Sequence, residues 1–143
     1  MKIKLLNENA IIPTYGTENA AGADLYSSSL EQISFNPHET KMIPTGIALE
    51  IPNGYVGLIY ARSSVGTKRG LAPANKVGVI DSDYRGEIFV ALHNHSEQIQ
   101  TIEPKERIAQ IVITPYIKET FEVVDSLKDT ERGTGGFGST GTK

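Results

Sequence analysis

The chain has 143 residues and not one cysteine. That absence removes disulfides, thiolate zinc sites and a cysteine nucleophile together. It fits a reducing compartment. Long apolar runs are missing too: nothing approaches the roughly 20 residues that a membrane span needs. Met1 to Leu6 alternates lysine with isoleucine and leucine, without the apolar stretch of a signal peptide. A basic excess is likewise absent. Lys and Arg number 14 against 17 Asp and Glu, for a net charge of -3, whereas a nucleic-acid binder is usually basic. The expectation is a soluble, cytoplasmic protein with no membrane partner and no direct nucleic-acid partner. No segment repeats internally, and none shows clean 3.6-residue periodicity.

What is present reads as short strands separated by turns. Ile47, Leu49 and Ile51 alternate with smaller or polar residues, and Val56, Leu58 and Tyr60 do so again after Pro52-Asn53-Gly54. That pattern predicts a hairpin. A second hairpin is expected around Asp83-Tyr84-Arg85-Gly86, between Val77-Val79 and Ile88-Leu92. An apolar strand runs from Ile108 to Ile113 before Pro115, and Val123-Val124 suggests one more. Ser63 to Arg69 suits one short helix, with Ser63 as N-cap. Many short strands with regular turns indicate an all-β sandwich, barrel or jelly roll. The length suits one domain able to fold without staples.

Two local departures bear on function. Arg62, Lys68, Arg69, Lys76 and Arg85 make the middle of an acidic chain basic. That suits a small anionic ligand or, equally, a solvated loop. The end of the chain carries Gly133, Gly135, Gly136, Gly138 and Gly141 with almost no apolar content. Such a segment cannot bury enough surface to offset its ordering entropy. The division expected is a body over 1–130 and a flexible Gly-rich tail over 131–143. Phe137, inside the tail, is a residue that a mere linker seldom needs.

Five segments stand out in order. They are Ala21-Gly22-Ala23-Asp24-Leu25; Ala61-Arg62-Ser63-Ser64; Gly78 to Gly86 (GVIDSDYRG); Arg107-Ile108-Ala109-Gln110; and Arg132 to Gly141 (RGTGGFGSTG). Together they resemble the ordered motifs of trimeric dUTPases, across residues 21–141. The third and fifth are long and specific. The resemblance implies a jelly-roll subunit and a homotrimer with three active sites, each built from all three chains. It implies hydrolysis of dUTP to dUMP and pyrophosphate with Mg2+, which limits uracil in DNA and supplies dUMP for dTMP synthesis. Residue by residue, the resemblance makes Asp81 the general base and has Asp24 hold the metal through water. It lays Tyr84 flat against the sugar and turns Gln110 to the α-phosphate. The backbone of Val79 and Ile80, with Asn75, would read uracil. Phe137 would stack on the base, and Arg132, Gly138, Ser139 and Thr140 would close over the phosphates as a lid.

The residue chemistry agrees without requiring those roles. A triphosphate needs donors and positive charge, which Arg62, Ser63 and Ser64 offer. A capped helix with an exposed arginine accounts for the same three residues. The family pattern usually has Gly where Ser64 stands, so a hydroxyl there either crowds the phosphates or adds a contact. Asp24 also suits an Asx turn, Asn75 an ordinary loop, and Tyr84 plain packing at a turn. Gln110, among aliphatics, must find partners if buried. Arg107 reads as structural. His93 and His95 share a strand face, but with no third ligand nearby and no cysteine they read as solvated histidines.

Two alternatives differ in class. dCTP deaminase relatives share the fold and favour Arg-Ser-Ser, as here. The position of their catalytic Glu falls on Ala91, and a methyl group moves no proton. The other alternative is a dUTP-binding regulatory protein with a protein partner. Asp81 speaks against it, since binding alone needs no base.

Overall fold

The computed structural model describes residues 1–136. A five-stranded sheet carries the regions of interest. It comprises β2 (Thr14–Tyr15), β3 (Ala23–Tyr26), β7 (Tyr55–Tyr60), β9 (Gly78–Ile80) and β12 (Arg107–Pro115), in the order β2-β3-β12-β7-β9. A second sheet joins β5 (Thr40–Pro44), β10 (Phe89–Asn94) and β8 (Leu71–Pro73). Two further pairs are β1 (Lys2–Leu5) with β6 (Ile47–Glu50), and β4 (Ile33–Phe35) with β11 (Gln100–Ile102). All the described ladders are antiparallel.

The alternation of the strands explains the layering. Side chains two apart share a face, so Ile43, Val90 and Leu92 point inward from one sheet, and Leu25, Ile59 and Ile111 from the other. Phe35, Leu71, Ile102 and Ile108 fill the space between. Burial of each such side chain contributes about 1.5–3 kcal/mol. Gly57 is needed on β7: a Cβ there would sit 3.0 Å from the Cδ1 atoms of both Ile51 and Ile111. The all-β expectation, a jelly roll with one short helical segment, holds. No helix among the described residues is long and apolar enough to cross a membrane.

Both predicted hairpins are corrected by the structure. The turns form: Tyr55 N–H donates to Pro52 O at 3.1 Å, and Tyr84 N–H to Asp81 O at 3.2 Å. The flanking strands do not pair with each other. β6 pairs with β1 while β7 pairs with β12 and β9. β9 pairs with β7 while β10 pairs with β5 and β8. Turn residues specify that the chain reverses, not that its two arms share a sheet. Here each turn carries the chain into a different ladder, where both arms still bury one face.

Two other expectations change. Ser63 does not cap a helix. It lies in the helical region itself, without a side-chain cap bond, ahead of a single π-helical turn, Ser64–Lys68. Arg62 O accepts the N–H groups of Val65 and Gly66 instead. Val123–Val124 forms no strand. The last strand ends at Pro115, and no strand occurs over 116–136. Phe121 and Val123 are 97% and 100% exposed, and no strand of the same chain supplies a ladder to them. The expectation of a flexible tail falls largely on 137–143, outside the described residues.

Asn94 is the polar pin of the second sheet. It is fully buried. Its amide donates to the carbonyls of Phe35, Asn36 and Gln98 at 3.3, 3.0 and 2.8 Å. Its Oδ1 accepts from Ser96 N–H and Oγ–H at 3.0 and 2.8 Å. Asn94→Ala removes all five bonds, and an unmet buried polar group costs about 1–3 kcal/mol. The expected loss is therefore about 3 kcal/mol of unfolding free energy, measured by urea denaturation. A variant as stable as wild type would deny Asn94 this role.

Candidate active site

Antiparallel register brings the first group together. Asp24 on β3 faces Gln110 on β12, which faces Tyr60 on β7. The chain leaves β7 into Ala61 and Arg62. Gln110 Nε2–H donates to Ala61 O at 2.9 Å, and Gln110 Oε1 occupies the space that a Cβ on Gly22 would need. Gln110 thus fixes the start of the Arg62-Ser63-Ser64 segment from below. Asp24 is buried, yet both its oxygens are paired. Arg62 Nε–H donates to Oδ1 at 2.6 Å, and Arg107 Nη1–H to Oδ2 at 3.2 Å. Two guanidinium groups around one carboxylate leave the group net positive, which suits an anion. Ser63 and Ser64 stand exposed beside it. The helical turn that follows is only five residues long.

Arg107 is the member that the sequence reading assigned to structure. It stands at the start of β12, three residues before Gln110. Only the β3–β12 bulge between Arg107 and Ala109 shows why it reaches Asp24. Arg69 lies nearby but is held by Glu106 and by Thr101 O.

The second group gathers at the other end of the sheet. β9 is an edge strand, so alternate backbone N–H and C=O groups along it face away from β7. Val79 is exposed there and Ile80 half-buried. Asn75 precedes this edge in a tight turn. Lys76 adopts φ +64°, and Val77 N–H donates to Asn75 O at 2.7 Å. Val79, Ile80, Asp81 and Tyr84 line a recess of about 230 Å³, together with Met42, Ile88 and Phe89. The Tyr84 hydroxyl donates to Glu87 O at 3.0 Å, and its ring lies where a Cβ on Gly86 would be. Gly86 therefore lets the ring lie flat along the recess wall. Asp81 is exposed at the rim. Met42 and Phe89 were not legible in the sequence, because only the β5–β10 ladder brings them to the recess.

One chain keeps these groups apart. Gln110 is level with Tyr60, while Ile80 is level with Gly57. Asp81 lies one residue further, so the offset along β7 is roughly 13 Å at about 3.3 Å per residue. Arg132 is described and exposed, its Nε–H donating to Gly135 O at 3.0 Å. Phe137, Gly138, Ser139 and Thr140 lie outside the described residues. Ala91, the position that would carry a deaminase Glu, is a β10 residue whose carbonyl accepts Ala74 N–H at 2.7 Å.

The family model described as dUTPase matches residues 8–141. A deoxyuridine 5'-triphosphate nucleotidohydrolase of Nautilia profundicola is 51% identical over 141 residues, covering 99% of this chain and 98% of its own. One from Escherichia phage T5 is 46% identical over 149 residues, covering 100% and 99%. Among solved structures, a Staphylococcus bacteriophage 80alpha dUTPase with dUpNHpp is 32% identical. It superposes with a TM-score of 0.90 over 98% of this chain and 97% of that one. A dUTPase from phage phi11 of S. aureus, described with a structural Mg(II) ion, is 27% identical. Its TM-score is 0.81, over 90% of this chain and 98% of its own.

Proposed function

Because the chain belongs to the dUTPase family and hydrolyses dUTP to dUMP and pyrophosphate, we propose that water attacks the α-phosphorus in line, with Asp81 as general base. The observation that carries this reading is the Asp81 carboxylate, exposed at the rim of a recess suited to a nucleoside. Tyr84 forms the sugar wall. The free edge of β9 at Val79 and Ile80, with Asn75, offers the donors and acceptors that uracil pairs with. As the water oxygen bonds to the α-phosphorus, its proton passes to Asp81, the bond to the bridging oxygen breaks, and pyrophosphate leaves. Arg62, Ser63, Ser64 and Gln110 hold the phosphates. Arg132, Phe137, Gly138, Ser139 and Thr140 close over the nucleotide as a lid.

Magnesium fits as an ion that arrives on the triphosphate. No three His, Cys, Asp or Glu side chains converge among the described residues, which suits an ion held chiefly by the nucleotide. Asp24 has each oxygen bonded once and keeps lone pairs for a metal-bound water. When bound, the ion neutralises phosphate charge.

A homotrimer with shared sites accounts for two features together. The two groups of one chain are offset along the sheet, so a base and an anion site at one phosphate call for different chains. The segment after Pro115 exposes Ile117, Phe121, Val123 and Leu127, an apolar row that a neighbouring subunit would cover. The same reading places the enzyme in the cytoplasm, with the nucleotide pool.

Hydrolysis in oxygen-18 water tests the point of attack. Label belongs in dUMP; label in pyrophosphate instead would move the attack to the β-phosphorus. Sugar selection is tested at Tyr84. Tyr84→Ala opens the wall, and the kcat/KM ratio of UTP to dUTP should rise on the order of tenfold to a hundredfold. Tyr84→Phe keeps the bulk and loses only the bond to Glu87, so it should keep the wild-type ratio. An unchanged ratio in the alanine variant would return Tyr84 to packing.

A further inference from the structure

Away from the nucleotide recess, His93 near the end of β10 and His95 just beyond it lie side by side. Their ring centroids lie 4.4 Å apart, edge to face at 65°. His93 is oriented by its neighbour strand. β5 pairs Thr40 with His93, and Thr40 Oγ1 meets His93 Nδ1 at 2.8 Å. That contact occupies Nδ1 and leaves Nε2 as the nitrogen open to a ligand. The His95 ring makes no hydrogen bond among the described residues, and its backbone is fixed by a 2.8 Å bond to Gly70 O.

We propose that His93 and His95 form a two-imidazole chelate for a borderline divalent transition metal, with Zn2+ as the representative ion and water in the remaining positions. Imidazole pairs suit zinc, copper and nickel, whereas magnesium takes oxygen ligands. Thr40 has the part of an outer-shell partner that fixes ring and tautomer. His38 is tied to Glu97, Nε2 to Oε1 at 3.1 Å, and stays outside the chelate. No third His, Cys, Asp or Glu converges among the described residues, so the site stays open. The sequence reading of solvated histidines lacked Thr40, which is far away in sequence and arrives only through the β5–β10 register.

The site is tested on the full chain stripped of metal. Calorimetric titration with zinc chloride, with and without saturating magnesium chloride, should show zinc binding that magnesium does not displace. His93→Gln and His95→Gln should each weaken zinc binding about tenfold or more, with thermal melts of the metal-free proteins unchanged. Thr40→Val should weaken it less, and His38→Gln not at all. Electron paramagnetic resonance of the copper-loaded wild type gives a readout independent of any variant's folding. The expected spectrum shows coupling to two imidazole nitrogens. Zinc affinity surviving loss of both histidines, affinity that follows His38, magnesium competing on equal terms, or a copper spectrum without the nitrogen pair would each overturn the assignment.

Discussion

Asp81→Asn lowers kcat by a factor on the order of 10² to 10⁴ and leaves dUTP binding in place. The amide keeps the size and rim position of the carboxylate but cannot accept the proton of the attacking water. Asp81 is exposed and holds up no part of the core. Its main-chain carbonyl, which the substitution retains, receives Tyr84 N–H and keeps the turn closed. The loss should therefore appear in turnover and not in unfolding temperature. Single-turnover kinetics with equilibrium binding of a non-hydrolysable dUTP analogue separates the two. Turnover close to wild type would move the base elsewhere, with Asp83 the next group to replace.

Truncation after Thr130 is expected to leave a folded protein with turnover reduced at least a hundredfold. Every described strand ends by Pro115, so no ladder loses a partner, and terminal residues outside the packed body are removed at little cost in stability. The segment removed carries Arg132, Phe137, Ser139 and Thr140. Stacking of Phe137 on uracil alone would be worth roughly 1–3 kcal/mol, and loss of the phosphate contacts adds to it. Mixing truncated chains with Asp81→Asn chains should restore part of the activity if base and tail come from different subunits. Exchange is to be verified by mass spectrometry of the mixed assemblies. A truncated enzyme with full activity would remove the lid; absence of rescue despite proven exchange would remove the sharing.

The chemistry of the site was more legible in the chain than its wiring. Asp24, Arg62, Gln110, Asp81 and Tyr84 stand in ordered segments, and the structure divides them between two local groups. Arg107 reads from the sequence as structural, but its partner, Asp24, lies 83 residues away and is brought to it only by the β3–β12 ladder with its register shift. Period-2 alternation named β6, β7, β9 and β10 correctly as strands. It could not name their partners, since a strand buries the same face whichever ladder it joins. Ser63 failed as a cap because Arg62 O already gathers the first N–H groups of the helical turn. Val123–Val124 has strand composition without a strand beside it.

The position of β12 between β3 and β7 also governs when the protein can fold. Five of the eight described ladders join strands more than about 40 residues apart along the chain, and such non-local pairing is slow. On a ribosome, Ala23–Tyr26 and Tyr55–Tyr60 are made early and then wait, because the strand that lies between them, Arg107–Pro115, emerges last. During that interval both flanking strands keep unpaired edges and uncovered apolar faces, the surfaces through which nascent chains aggregate. Any stall in translation before Arg107–Pro115 has cleared the ribosome would prolong that exposure.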